Sequence, residues 1–222
     1  MATQLARPHR FTGDEYRRMA ELGILPAGPM ELIDGRVLLG GQPWRFSTRD
    51  YHRLAEVGIL SEDDRVELIE GEVIEMSPIG SRHASVVRRL TARFTRRLGD
   101  AAVVSVHNPL DLEDGTQPEP DVLLLQPRAD FYAEAHPTPA DVLLLVEVAD
   151  SSLPVDRIRK ADLYAAAGIA EYWVADVERR RVFVHTRPLP SGYALVETRD
   201  YDDRWSAGTL PQLTLGGPDI FG

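Results

Sequence analysis

The chain has 222 residues, 43% hydrophobic and 27% charged, which suits one sizeable globular domain with an extension. It contains no run of 18 apolar residues, so no membrane-spanning helix is expected, and its N-terminal MATQLARPHRF lacks the apolar centre of a secretory signal. The absence of cysteine excludes disulfides and thiolate metal sites and suits a cytoplasmic protein, while the net charge of −10 argues against a surface that grips nucleic acid all over.

The first 76 residues contain an internal repeat. Phe11 to Leu25 (FTGDEYRRMAELGIL) returns 35 positions later as Phe46 to Leu60 (FSTRDYHRLAEVGIL), and Glu31 to Gly35 (ELIDG) returns as Glu67 to Gly71 (ELIEG). Each copy reads as a short helix, a glycine break and a hairpin turning at Asp34-Gly35 or Glu70-Gly71. Thr12 and Ser47 stand as N-caps, each with an acid three residues on. One copy is too small to hold a core alone. The expected division is an extra copy over 1–45 and a main domain over 46–222, comprising a second lead-in copy (46–76), a core (77–187) and a tail (188–222).

A loop at 77–81 leads to an expected helix over 82–98, stopped by Gly99. Val86, Val87, Leu90, Phe94 and Leu98 form its apolar stripe. Arg82, Arg88, Arg89, Arg93, Arg96 and Arg97 line it without an intervening acid. The stripe is either a solvated face paired with the acidic lead-in or a surface for phosphates, with Arg82, Arg89 and Arg93 as the nucleic-acid contacts. His83 lies in the first turn, where a lone histidine is more often a cap or core residue than a ligand. The six histidines show no metal-ligand spacing.

Strands are expected at 103–106, ended by His107-Asn108-Pro109, then at 122–125 and 142–146, the last closed by Glu147. A helix follows over 156–167 with Gly168 as its stop, placing Lys160 and Tyr164 on one face. A hairpin is expected over 171–176 and 181–186, with possible edge strands at 193–196 and 210–215. This order of elements describes an α/β (α+β) domain, a mixed β-sheet flanked by helices.

Pairing the two apolar strands antiparallel with Leu124 facing Leu144 sets Asp121 opposite Glu147, with Cβ atoms about 5 Å apart. Either residue alone reads as an ordinary strand end. Together they repel unless one is protonated or a cation lies between them. Oxygen ligands favour Mg²⁺, for which Mn²⁺ can substitute, and the Val148 carbonyl could add a third oxygen. Lys160 can supply a point charge, Tyr164 can orient it, and Glu119 is a possible outer carboxylate. No Walker loop, GxGxxG, HExxH or GxSxG motif competes.

The segments ELIEGEVIEMSPIGSRH (67–83), PEPDVLLL (around 118–125), LLLVEVADSS (143–152) and KADLYAAAGIAEYWVAD (160–176) resemble the PD-(D/E)XK nuclease superfamily and, more closely, its restriction-endonuclease-like Uma-two family. The resemblance covers about residues 46–186. It implies a restriction-endonuclease-like core and Mg²⁺-dependent cleavage of DNA, with Asp121 and Glu147 as the acidic ligands. The superfamily's usual lysine position is Ala149, and Lys160 on the following helix is the match in this family. Glu67 or His83 stands where the superfamily has an acid before the sheet. A catalytically weak binding or regulatory module on the same fold is the alternative, and a nucleotide phosphohydrolase is a third reading. Cutting both strands requires two sites, so a homodimer is expected.

Overall fold

The computed structural model describes residues 7–61, 63–150, 152–153 and 155–222. The start of the N-terminal stretch weighed as a secretory signal, and Ser151 of the LLLVEVADSS segment, lie outside the described residues. The described chain divides into two compact units. One holds the residues up to Ser77 together with Leu112–Pro118, the other Pro78–Asp111 with Glu119–Gly222.

The first unit is the repeat. Its elements are β1 (Arg7–Pro8), α1 (Gly13–Glu21), β2 (Met30–Ile33), β3 (Arg36–Leu39), β4 (Gln42–Pro43), α2 (Thr48–Glu56), β5 (Val66–Ile69) and β6 (Glu72–Glu75). Both expected capping boxes form, Thr12 with Glu15 and Ser47 with Asp50. Both hairpins turn through positive φ at two residues, 48° and 74° at Asp34-Gly35 and 50° and 77° at Glu70-Gly71, as a two-residue I′ turn requires.

The strands are exchanged between copies. The sheets are β1-β6-β5 and β2-β3-β4, so the leading strand of each copy pairs with the hairpin of the other. Pro8 stands opposite Ile74, and the equivalent Pro43 stands opposite Leu38. The two copies share one core in which Phe11, Met19, Ile24 and Val37 join Phe46, Leu54, Ile59 and Val73. The boundary expected at residue 45 therefore cuts through an interlocked pair. Neither copy has the third strand or the apolar partners to close by itself, and together they make a single unit. The outer edge of β5 also pairs with the inserted segment. The Gln117 N–H donates to the Leu68 carbonyl and the Gly71 N–H to the Gly115 carbonyl, both at 2.7 Å. Hence β5 is buried throughout, whereas β2 leaves Ile33 50% exposed.

The second unit comprises α3 (Ser81–Leu98), β7 (Val103–Ser105), β8 (Val122–Leu125), β9 (Val142–Ala149), α4 (Ala161–Ala166), β10 (Glu171–Asp176), β11 (Arg181–Leu189), β12 (Gly192–Arg199), β13 (Arg204–Ser206), β14 (Thr214–Gly216) and α5 (Gly217–Ile220). Its main sheet runs β12-β11-β10-β9-β8-β7, antiparallel except for the parallel pair β9 and β10. The stripe of α3 packs on Val122, Leu124, Leu144 and Val146, with Trp173 and Trp205 in the same cluster. Each such side chain contributes on the order of 1.5–3 kcal/mol by leaving water. That burial makes both central strands apolar on both faces.

Three expectations change. The helix expected from 156 begins as a π-helical stretch, Val155–Lys160, before α4. The strand closed by Glu147 continues to Ala149, because β10 pairs with it that far. The tail strand expected at 210–215 shrinks to Thr214–Gly216, paired with β13. Leu210 and Leu213 lie instead in turns that point them into the core. No helix among the described residues is long and apolar enough to cross a membrane.

Candidate active site

Asp121 precedes β8, and Glu147 lies two residues before the end of β9. The observed pairings Val122 with Val146 and Leu124 with Leu144 are the expected register, so Asp121 stands opposite Glu147. Both are buried, at 7% and 4% exposure. The Asp121 N–H reaches Glu147 Oε2 at 3.4 Å, and the Val148 N–H donates to Asp121 Oδ2 at 2.7 Å.

The charge of each acid is met by side chains of the chain itself. Lys160 Nζ and the Tyr164 hydroxyl both donate to Glu147 Oε1, at 3.1 and 2.9 Å. Their shared helix face survives the π-helical start. His83 Nε2 and His107 Nε2 both lie against Asp121 Oδ1, at 2.9 and 3.0 Å. Burial opposes ionisation of Asp121, but hydrogen bonds from His107, His83 and the Val148 N–H outweigh it and hold the carboxyl well below the usual range. Because an ionised carboxylate only accepts, each imidazole donates through its Nε2. Burial likewise opposes protonation of His83. Its hydrogen bond to Asp121, that carboxylate's charge and a backbone bond to Val148 together raise its pKa above the ordinary value.

The residues singled out in the sequence fall into three groups. Asp121, Glu147, Val148, Lys160, Tyr164 and His83 meet at one end of adjacent strands. Glu67 is buried on β5. His83 lies against Asp121, at 2.9 Å. Glu119 is half-buried, two residues before Asp121. Arg82, Arg89 and Arg93 are not a free cationic row. Arg82 pairs with Asp150 at 2.7 Å, Arg93 with Asp219 at 3.5 Å, and the Arg89 guanidinium sits at the C-terminal Gly222. Arg97 also holds Asp219, at 3.0 Å. Asp150, Asp219 and Gly222, set against Arg82, Arg89, Arg93 and Arg97, all lie in the stripe's own unit. Arg88 and Arg96 are exposed and make no ion pair among the described residues.

His107 is the residue the spacing of histidines concealed. The pairing of β7 with β8 matches Ser105 to Leu123, and two steps further the same register sets His107 opposite Asp121. His107, Asp121 and Glu147 therefore form one row across three neighbouring strands, which strand register exposes and linear spacing does not. His107 adopts φ 52°, a left-handed conformation uncommon for residues other than glycine, beside the site. The His83, His107 and Asp121 ligand atoms lie within 4.8 Å of one another, so nitrogen donors join the oxygens expected around a metal. Lys160 carries a second unread signal. It is the only lysine in a chain whose other cationic side chains, histidine apart, are arginines, and it is the one that meets Glu147.

A six-stranded mixed sheet with one parallel pair, flanked by helices and carrying two acids and a lysine at one end, defines a restriction-endonuclease-like fold. The chain matches the Uma2 family, described as "Putative restriction endonuclease", over residues 48–216, and it belongs to that family. The first lead-in copy lies outside the match. Among solved structures, the chain is similar to the "putative nuclease belonging to DUF820" from Anabaena variabilis, with 18% identity and a TM-score of 0.61 over 75% of this chain and 95% of that one. No curated protein matches the sequence.

Proposed function

We propose that this protein is a metal-dependent endonuclease that hydrolyses DNA phosphodiester bonds, working as a cytoplasmic homodimer. The observation that carries the reading is Lys160 on Glu147, with Glu147 opposite Asp121 at the end of a buried sheet. The donor set fits a dication: the Asp121 carboxylate and two imidazoles converge, with the Val148 N–H on the same carboxylate and Glu147 opposite it on the next strand. Held by Asp121 and Glu147, Mg²⁺ or Mn²⁺ would acidify a water and polarise a phosphoryl oxygen.

The chain's own groups do the remaining work. Tyr164 donates to Glu147 and fixes its rotamer, leaving the carboxylate aimed across the strands. The Lys160 ammonium can hold an attacking water or offset charge developing on the phosphate. His83 and His107 hold Asp121 ionised. Exposed Arg88 and Arg96 are left to meet the DNA backbone.

A binding or regulatory module is the second reading. The net charge of −10 and the engagement of Arg82, Arg93 and Arg97 with acids favour it. Incubating the purified chain with supercoiled plasmid and Mg²⁺ or Mn²⁺ separates the two. Nicking that chelator removes and Glu147→Gln abolishes supports the nuclease, and DNA binding without nicking supports the module.

A further inference from the structure

The proposed metal centre contains two side chains that an oxygen-only magnesium site does not use. His83 and His107 come from different elements, the first turn of α3 and the end of β7. Both bring Nε2 to within 3.0 Å of one carboxylate oxygen, Asp121 Oδ1. The neighbouring oxygen, Oδ2, is held by the Val148 N–H, so the two imidazoles are gathered on Oδ1 alone. The rings lie with centroids 6.3 Å apart and planes 27° from parallel, and both Nε2 atoms reach the same oxygen. Their side chains are 16% and 31% exposed, sheltered yet open to solvent. His107 is kept there at positive φ, by a backbone bond from its N–H to the Pro120 carbonyl at 3.2 Å.

Ligand chemistry follows from this geometry. Magnesium is a hard ion that keeps its waters and takes carboxylate oxygens. Imidazole nitrogen suits the borderline dications of the first transition row, and Mn²⁺ accepts both donor types. We infer that His83 and His107 are nitrogen ligands beside Asp121, and that the centre selects Mn²⁺ or a similar transition-metal dication over Mg²⁺. This rests on the metal-dependent reading of the site and names the ion it uses. On binding, each ring would present the Nε2 lone pair, its proton carried on Nδ1 or released to solvent, and Asp121 Oδ1 would ligate the same ion in place of accepting two N–H groups. Glu147, whose Oε1 is held by Lys160 and Tyr164, would add its carboxylate to the same centre.

The test uses the full chain and measures binding directly. Calorimetric titration with Mn²⁺, Co²⁺ and Mg²⁺ is expected to give dissociation constants at least about tenfold tighter for the transition metals. Pulsed electron paramagnetic resonance of the Mn²⁺-loaded chain is expected to show nitrogen couplings from two directly bound imidazoles. His107→Ala is expected to remove one coupling and weaken Mn²⁺ by about 10–100-fold while changing Mg²⁺ little. His107→Gln, which retains a hydrogen-bond donor for Asp121, is expected to lose the same coupling, which separates ligation from support of the carboxylate. Thermal melts of each variant establish that it folds. Mn²⁺ binding without nitrogen coupling, or equal affinity for Mg²⁺ and Mn²⁺, overturns the inference and leaves the nuclease reading standing. Failure to bind any dication overturns both.

Discussion

Lys160 donates to Glu147 Oε1 at 3.1 Å from the end of a π-helical stretch, thirteen residues after the acid itself. The superfamily's usual lysine lies two residues after the acid, at a position held here by Ala149. The ammonium nonetheless arrives at the same carboxylate from a helix, alongside the Tyr164 hydroxyl on the same oxygen.

An arginine cannot do the same work. The guanidinium is planar and longer, and it does not deprotonate, so it cannot present a compact charge at Glu147 Oε1 beside the Tyr164 hydroxyl. Lys160→Arg is expected to reduce plasmid nicking by about 10²–10³-fold, close to the loss in Lys160→Ala. Nicking time courses with DNA affinity measured in parallel check this, with affinity expected to stay within a few-fold. Retained activity in Lys160→Arg would show that charge alone suffices.

The two hairpin turns of the lead-in make a matched pair. A Cβ on Gly35 would fall 2.8 Å from the Cβ of Arg10, and one on Gly71 would fall 2.8 Å from the Cβ of Arg45. Both glycines also have positive φ. Gly35→Ala and Gly71→Ala are each expected to lower stability by about 1–3 kcal/mol, from left-handed strain and close approach to the preceding strand. Urea unfolding curves check the magnitude. A neutral result at either position would show that the hairpin turn does not approach its own copy's Arg10 or Arg45 as closely as described.

These turns illustrate what could and could not be read from the sequence. Asp34-Gly35 and Glu70-Gly71 announce the hairpins, because only a few residue types tolerate paired positive φ. The exchange of leading strands left no such mark. Pro8 and Pro43 look alike in both copies, and self-similarity says nothing about which copy pairs with which. The register of Asp121 against Glu147 was readable because two short apolar strands admit few pairings that bury both faces. His107 followed from the same logic one strand further out, but it was read by its spacing to other histidines. The π-helical start at Val155 has the residue types of an ordinary helix, so periodicity does not distinguish the two.

The arginine stripe divides into structural and free members. Arg93 and Arg97 both hold Asp219 of α5, whereas Arg88 and Arg96 face solvent. Arg88→Glu and Arg96→Glu are each expected to weaken DNA binding and to reduce the salt slope by about 1 without altering the melting temperature. Arg93→Ala is expected to lower the melting temperature instead. Fluorescence anisotropy across a salt series, with thermal melts, checks both outcomes.

His185 gives the fold an acid-sensitive point away from the site. Burial lowers its pKa, against hydrogen bonds to the Tyr172 and Phe183 backbone that raise it, and the nearby Arg157 lowers it further. Tyr172 and Tyr193 pack on the ring. A histidine whose folded pKa is depressed favours the unfolded chain once it is protonated. Its contribution is therefore present above the unfolded value of about 6.5 and is lost as pH falls below it. The parent chain is expected to lose more thermal stability between about pH 7 and 5 than His185→Gln. Melts across that range check the difference, and parallel curves would remove His185 as the cause.

The measurement that bears most directly on the site is cleavage of supercoiled plasmid by the parent chain and by Asp121→Ala, each with Mg²⁺, with Mn²⁺ and with chelator. Nicking by the parent alone, faster in Mn²⁺ and absent with chelator, is the expected result. Equal nicking by both proteins, or nicking that persists with chelator, would contradict a metal-dependent nuclease built on Asp121 and Glu147.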